Sequence, residues 1–174
     1  TSNICTAQAL LATMSGMYAQ YHGPEGLKSI AAHIHHAACT LSTALKDLGY
    51  KQVNALFFDT VRISLPPAVS AAEIRKLSES AGINFFYPDE VTVCISTDEV
   101  TTLKEVNEIT GIFAKASGKS FKPAASLCSS ICIPDDFLRK TEFLREAAFN
   151  RYHSETEMMR YIKMLERKDF SLTH

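Results

Sequence analysis

Residues 24–49, PEGLKSIAAHIHHAACTLSTALKDLG, and residues 57–65, FFDTVRISL, together decide the fold class. In the first stretch Leu27, Ile30, Ala31, Ile34, Ala38, Leu41, Leu45 and Leu48 recur at three and four residues, which lines one face of a helix with apolar side chains. Pro24 suits a first helical turn and Gly49 stands in the stop position. The second stretch changes period: Phe57, Val61, Ile63 and Leu65 alternate with Phe58, Thr60, Arg62 and Ser64 until Pro66-Pro67 closes the run. That is a strand with one wetter face. A helix handing over to a strand within so few residues means a mixed fold.

Working outward, Leu10, Leu11, Met14, Met17, Tyr18 and Tyr21 stand at helical spacing over 7–21, ahead of His22-Gly23, and predict a first, mostly buried helix. Downstream, Ser70 and Glu73 have capping-box spacing before Ile74, Leu77 and Ala81, with Gly82 as the stop. Residues 83–87 and 91–96 are β-rich runs separated by Pro88-Asp89-Glu90 and predict an antiparallel hairpin. Asp98 and Glu99 then open a helix with the stripe Leu103, Val106, Thr110 and Phe113, ending near Gly118. The pattern dissolves into Ser, Ala, Pro and Cys over 119–133. Beyond it Pro134 starts a predicted helix through Phe137, Leu138, Phe143 and Leu144, and Ser154 with Glu157 caps another carrying Met158, Tyr161, Ile162 and Leu165. The expected fold is α/β (α+β), in the order α-α-β-α-β-β-α plus a two-helix bridge. Its expected organisation is an entry helix and small domain over 1–118, a linker over 119–133 and a bridge over 134–174.

Composition excludes several function classes. The chain has 174 residues, 46% of them hydrophobic, with 18 basic against 19 acidic side chains. That is ample material for a core, with no basic face for nucleic acid and no apolar run near the roughly 20 residues of a membrane span. The seven glycines never fall at phosphate-loop or G-x-G-x-x-G spacing. Five cysteines, mostly inside apolar runs, suit buried free thiols in a reducing compartment better than a disulfide framework, and no secretory signal opens the chain. Residue 1 is Thr, and Ser171-Leu172-Thr173-His174 gives no terminating signal, so the stretch reads as a piece cut from a longer chain.

No complete catalytic constellation stands out. His33 and His36 share a helical face, but a metal needs three or four converging ligands and that face offers no nearby Cys, Asp or Glu. Surface histidines are the expectation, and no metal site is assigned. Cys128 and Cys132 have three intervening residues where a redox pair normally has two. Met158-Met159 reads as core packing. Glu155 and Glu157 beside His153 have the chemistry for acid/base work, yet acids at a helix start commonly serve its dipole.

Three stretches carry something more specific. Thr1-Ser2-Asn3-Ile4-Cys5-Thr6-Ala7-Gln8, Tyr21-His22-Gly23-Pro24-Glu25-Gly26-Leu27 and Phe149-Asn150-Arg151-Tyr152-His153-Ser154-Glu155-Thr156-Glu157-Met158 resemble, in order and spacing, the glycine decarboxylase (P-protein) family of the glycine cleavage system. Ile34-His35, Leu45, Gly49 and the run Glu166, Lys168, Asp169 fit as well, so the resemblance extends over essentially the whole chain. His33 departs from it, standing where the family is expected to carry Arg.

The resemblance implies a place at the end of the first of two halves, each like a fold-type I pyridoxal-phosphate enzyme, and in the bridge to the second half. The small domain would then be the C-terminal domain of such an enzyme. It also implies the parent chemistry: pyridoxal phosphate takes up the electrons left when glycine loses carbon dioxide, and the aminomethyl group passes to the lipoyl group of the H-protein. The family's cofactor-bearing lysine follows a histidine, and none of the lysines here does. No catalytic, cofactor-binding or metal residue is therefore assigned to the piece, which is expected to be inactive and to bind no pyridoxal phosphate. Ser2, Asn3 and Cys5, with Tyr152, His153, Ser154 and Glu155, are the candidates to face the cleft in the whole enzyme. Expected partners are the remainder of its own chain, the lipoylated H-protein and the other glycine cleavage proteins. The parent is expected to be a homodimer, cytoplasmic in a bacterium or mitochondrial in a eukaryote, and not secreted. The alternative is a free-standing α/β interaction or regulatory domain.

Overall fold

The computed structural model describes residues 7–168, 170 and 172. The chain divides into two compact units, one of Ile30–Leu138 and one of Thr1–Ser29 with Arg139–His174. Helix α1, Ala7–Asp47, is interrupted at Gly23, whose φ of 62° and ψ of −178° lie outside helical space. The predicted boundary between two helices therefore stands.

In the unit 30–138, the later part of α1 buries Ala37, Ala38, Leu41 and Leu45. It ends as the sequence requires: Gly49 adopts φ 85°, its N–H donates to the Lys46 carbonyl at 2.8 Å, and the Tyr50 N–H donates to the Leu45 carbonyl at 3.0 Å. This is the glycine stop that satisfies the last free carbonyls of a helix. The Lys119 ammonium donates to the Leu48 carbonyl at the same end. A two-residue strand β1, Lys51–Gln52, precedes β2, Thr60–Ser64, and β1 is too short to leave a periodic trace in the sequence. Helix α2, Ala71–Ser80, starts where Ser70 Oγ accepts the Glu73 N–H.

Strands β3, Phe86–Asp89, and β4, Thr92–Ser96, form the predicted hairpin, but Pro88 and Asp89 belong to β3 and not to the turn. Proline is tolerated because β3 is an edge strand in the antiparallel order β1-β2-β4-β3. In the central pair Val61 lies opposite Ile95 and Ile63 opposite Val93, and all four are buried. Helix α3, Leu103–Ala116, begins later than Asp98 and Glu99 suggest. Thr102 is its cap and forms a reciprocal capping box with Glu105, while Asp98 holds a preceding turn by accepting from Thr101 Oγ1 at 2.7 Å.

One core gathers these elements: Leu41 and Leu45, Val61, Ile63, Ile74, Val93, Ile95, Val106 and Phe113. Each such side chain contributes about 1.5–3 kcal/mol over exposure to water. The Tyr50 hydroxyl reaches the Phe113 carbonyl at 2.8 Å. Residues 119–133 have no regular structure, as expected, yet they are laid down on this unit: Ala124 and Asn107 exchange two hydrogen bonds, and Phe121 and Leu127 pack against the core.

The other unit departs more from expectation. The helical face over 7–21 is largely exposed, with Leu10 at 64% and Leu11 at 61%, because no described residue of the unit covers it. The helix expected from Pro134 through Leu144 is absent: Asp135–Phe137 makes one 3-10 turn, after which Leu138 is extended. An isolated turn propagates only when a buried face rewards it, and Phe137 is exposed. A second 3-10 turn, Ala147–Asn150, precedes helix α4, Glu155–Glu166. The bridge thus holds one α-helix, not two. Among the described residues the architecture is α+β, with four α-helices and a four-stranded antiparallel sheet. Among the described residues no helix is long and apolar enough to cross a membrane.

Candidate functional site

Two clusters of polar chemistry emerge, one in each unit. In the unit 1–29 with 139–174, the helix break puts Gly23 against the turn before α4. A Cβ at Gly23 would lie 2.7 Å from the Phe149 carbonyl oxygen and 2.8 Å from His153 Cε1, so only a hydrogen at this position permits the approach. The His153 ring donates from Nδ1 to the Tyr21 carbonyl at 2.8 Å. Its backbone N–H donates to Glu157 Oε2 at 3.3 Å. Ser154 is the cap of α4, accepting the Glu157 N–H at 3.3 Å and donating to Glu157 Oε2 at 3.0 Å. Tyr152 stacks on Tyr161 with ring centres 4.3 Å apart. Glu155 is exposed in the first turn of α4. The predicted residues Tyr152, His153, Ser154 and Glu155 therefore stand together by sequence, with His153 and Ser154 both tied to Glu157. Ser2, Asn3 and Cys5 lie outside the described residues.

In the unit 30–138, of the histidines expected on the surface of α1, His33 and His36 are half-buried and His35 is buried. His35 is only 1% exposed; it donates from Nδ1 to the Phe58 carbonyl at 2.8 Å, and its Nε2 accepts the Cys132 N–H at 2.9 Å. Cys39 Sγ stands 3.3 Å from the same Nε2. His33 Nε2 donates to the Thr101 carbonyl at 2.9 Å, and His36 Nε2 is buried with no hydrogen bond among the described residues. The predicted pairing of His33 with His36 on one face is thus not where ligand atoms converge. The convergent set is His35, Cys39 and Cys132, whose donor atoms lie within 4.8 Å of one another. Burial, reinforced by the neighbouring Cys132 thiol, pushes the Cys39 thiol up to about 12.

The four described cysteines are free thiols. Cys39 alone among them is fully buried; Cys94 and Cys128 are half-buried and Cys132 is exposed, so the expected free thiols stand while their expected burial holds fully only for Cys39. The i, i+4 spacing of His35 and Cys39 was a readable signal, whereas Cys132, 97 positions beyond His35, left none.

Cofactor chemistry of the pyridoxal kind needs a sheltered lysine and a phosphate cradle. Every described lysine is exposed. The starts of α3 and α4, where a phosphate would otherwise suit, are occupied by the chain's own groups: Glu105 takes the Thr102 N–H at α3, and Glu157 takes the His153 N–H at α4. These residues do not fit the group.

Comparison with known proteins gives a consistent result. Residues 1–113 match the family profile described as "Glycine cleavage system P-protein". The chain is 49% identical over 174 residues to a "Glycine dehydrogenase (decarboxylating)" of Christiangramia forsetii, covering 100% of this chain and 18% of the relative. It is 48% identical over 172 residues to that of Bacteroides fragilis, covering 99% and 18%. To a "Glycine dehydrogenase (decarboxylating), mitochondrial" of Solanum tuberosum it is 44% identical over 177 residues, covering 100% and 17%. The chain therefore spans less than a fifth of the length of these relatives.

Proposed function

The chain belongs to the glycine cleavage system P-protein family, and from that premise we propose that it is a scaffolding part of a glycine dehydrogenase (decarboxylating). The observation that carries this reading is similarity along the whole chain to a short share of much longer relatives. The activity is decarboxylation of glycine with transfer of the aminomethyl group to the lipoyl arm of the H-protein. The parent, a homodimer, would be cytoplasmic in a bacterium and mitochondrial in a eukaryote.

Pyridoxal phosphate, when bound in the parent, supplies the electron sink for loss of carbon dioxide. Its lysine and phosphate cradle belong to other parts of that protein, since the exposed lysines and self-capped helix starts here match neither. Titrating the chain with pyridoxal phosphate is expected to leave the cofactor's absorbance unchanged; a stoichiometric spectral shift would refute this.

This chain contributes shape and positioned polar groups. The exposed side chains Leu10, Leu11, Met14 and Tyr18 form the face on which the remainder of the longer chain packs. The run Tyr152, His153, Ser154 and Glu155 faces its cleft. Support comes from His153, whose Nδ1 is fixed by the Tyr21 carbonyl, which holds the imidazole in one orientation beside the cap of α4.

The full-length parent is expected to release carbon dioxide from glycine in the presence of lipoyl H-protein, and its failure to do so would end the assignment. In that parent, His153→Ala should lower decarboxylation more than it lowers the melting temperature. An equal loss of both would make His153 a packing residue.

A further inference from the structure

We propose that His35, Cys39 and Cys132 form a binding site for a thiophilic d10 cation, with Zn2+ as its test ion. The donor set is one imidazole nitrogen and two sulfurs, the combination that soft and borderline metals prefer over magnesium or calcium. Tetrahedral zinc with these ligands separates its donor atoms by about 3.5–3.8 Å. The three atoms here already lie within 4.8 Å of one another, so the widest gap closes by about 1 Å, a movement that exposed Cys132 can supply.

The surroundings of His35 are those of a ligand. Donation from Nδ1 to the Phe58 carbonyl, 2.8 Å away, fixes the tautomer that presents a bare Nε2, and such an outer partner is what orients metal-binding histidines. The Phe58 ring lies parallel to the imidazole at 6.0 Å, and the Phe57 ring stands 5.7 Å away, which limits the imidazole's rotation. Cys39 reaches Nε2 from one helical turn further along α1, and Cys132 arrives on the irregular segment after α3. His35 and Cys39 are buried and Cys132 is exposed, so the site has a sheltered floor and one ligand on the solvent side.

Binding breaks two hydrogen bonds to Nε2, from the Cys132 N–H and from the Cys39 S–H. The freed amide turns to solvent, both thiols release their protons to water, and three metal–ligand bonds form as the hydrated ion gives up coordinated waters to the solvent. No oxidant or reductant takes part.

The test is a competition titration of the reduced 174-residue chain with Zn2+ against a chromophoric chelator. One zinc per chain is expected. Cys132→Ser and Cys39→Ser should each weaken binding more than ~100-fold, beyond the 10–100-fold that loss of a merely outer partner produces, whereas Cys94→Ser should leave it unchanged. Cys132→Ser alters an exposed side chain, and circular dichroism checks that it folds. A second readout needs no variant: zinc should slow alkylation of Cys132 in the unmodified chain. Absence of stoichiometric binding, equal binding by Cys132→Ser, or an alkylation rate indifferent to zinc would each overturn the site.

Discussion

Gly23→Ala tests the joint between α1 and the turn before α4 more directly than any other substitution. With φ at 62° and ψ at −178°, the residue occupies backbone space essentially reserved for glycine, where another residue costs about 1–3 kcal/mol. The new Cβ would also sit 2.7 Å from the Phe149 carbonyl oxygen and 2.8 Å from His153 Cε1, and backbone or ring displacement of that kind costs another ~1–3 kcal/mol. Together the local loss is roughly 2–6 kcal/mol. Two other glycines separate the contributions. Gly82 has φ 74° but nothing within 4 Å of a Cβ, so Gly82→Ala isolates the backbone term at about 1–2 kcal/mol. Gly16 lies inside α1 with open space around it, so Gly16→Ala should stabilise by about 0.5–1 kcal/mol. Native-state hydrogen exchange reads the result: amides of α4 should exchange about 30-fold or more faster in Gly23→Ala, at 1.36 kcal/mol per tenfold, until they reach the unprotected rate. If α4 exchanges as slowly in Gly23→Ala as in Gly16→Ala, the close approach that organises this unit is wrong.

Leu45 is fully buried, and Leu45→Ala should cost about 2–5 kcal/mol, seen as a lower midpoint in urea at unchanged slope. Ser154→Ala removes the cap of α4 and should cost about 0.5–2 kcal/mol, read as faster exchange in α4 with the sheet unaffected. Acid should destabilise through three carboxylates held below the ordinary carboxylate range. These are Asp98, by the Thr101 hydroxyl; Glu105, by the Thr102 N–H and hydroxyl; and Asp89, by the Val91 N–H and Thr92. Since the folded values are the lower ones, their stabilisation is complete above the ordinary range and drains away as pH falls through the lowered values. Glu105→Gln should flatten the acid limb of a stability–pH curve, and an unchanged limb would show that this capping carboxylate adds nothing.

What the sequence made legible were features whose cause is local. Ser70 and Ser154 each start a helix, and Gly49 ends one, because caps and stops act within a few residues; the Thr102 cap of α3 was masked by the acids Asp98 and Glu99 ahead of it. The alternation of Val61 and Ile63 announced β2 because one face of a strand must be buried and the other need not be. Where a residue's fate depended on distant chain, the reading failed. His35 looks like any helical histidine until Phe58 and Cys132 close around it. Pro88 looks like a turn until the order β1-β2-β4-β3 makes its strand an edge.

Periodicity states which face of a helix is apolar and is silent about whether anything covers it. Residues 7–21 and 24–48 carry the same three-and-four spacing, yet Leu45 is buried completely and Leu10 is 64% exposed. The difference lies in what each helix has to pack against: the later part of α1 has a sheet and two helices, whereas no described residue of the other unit covers the face over 7–21. The same logic explains residues 134–144, where apolar side chains at helical spacing give one 3-10 turn because Phe137 meets no core. An exposed apolar stripe in a chain spanning 18% of its relatives' length is what the proposed scaffold role predicts.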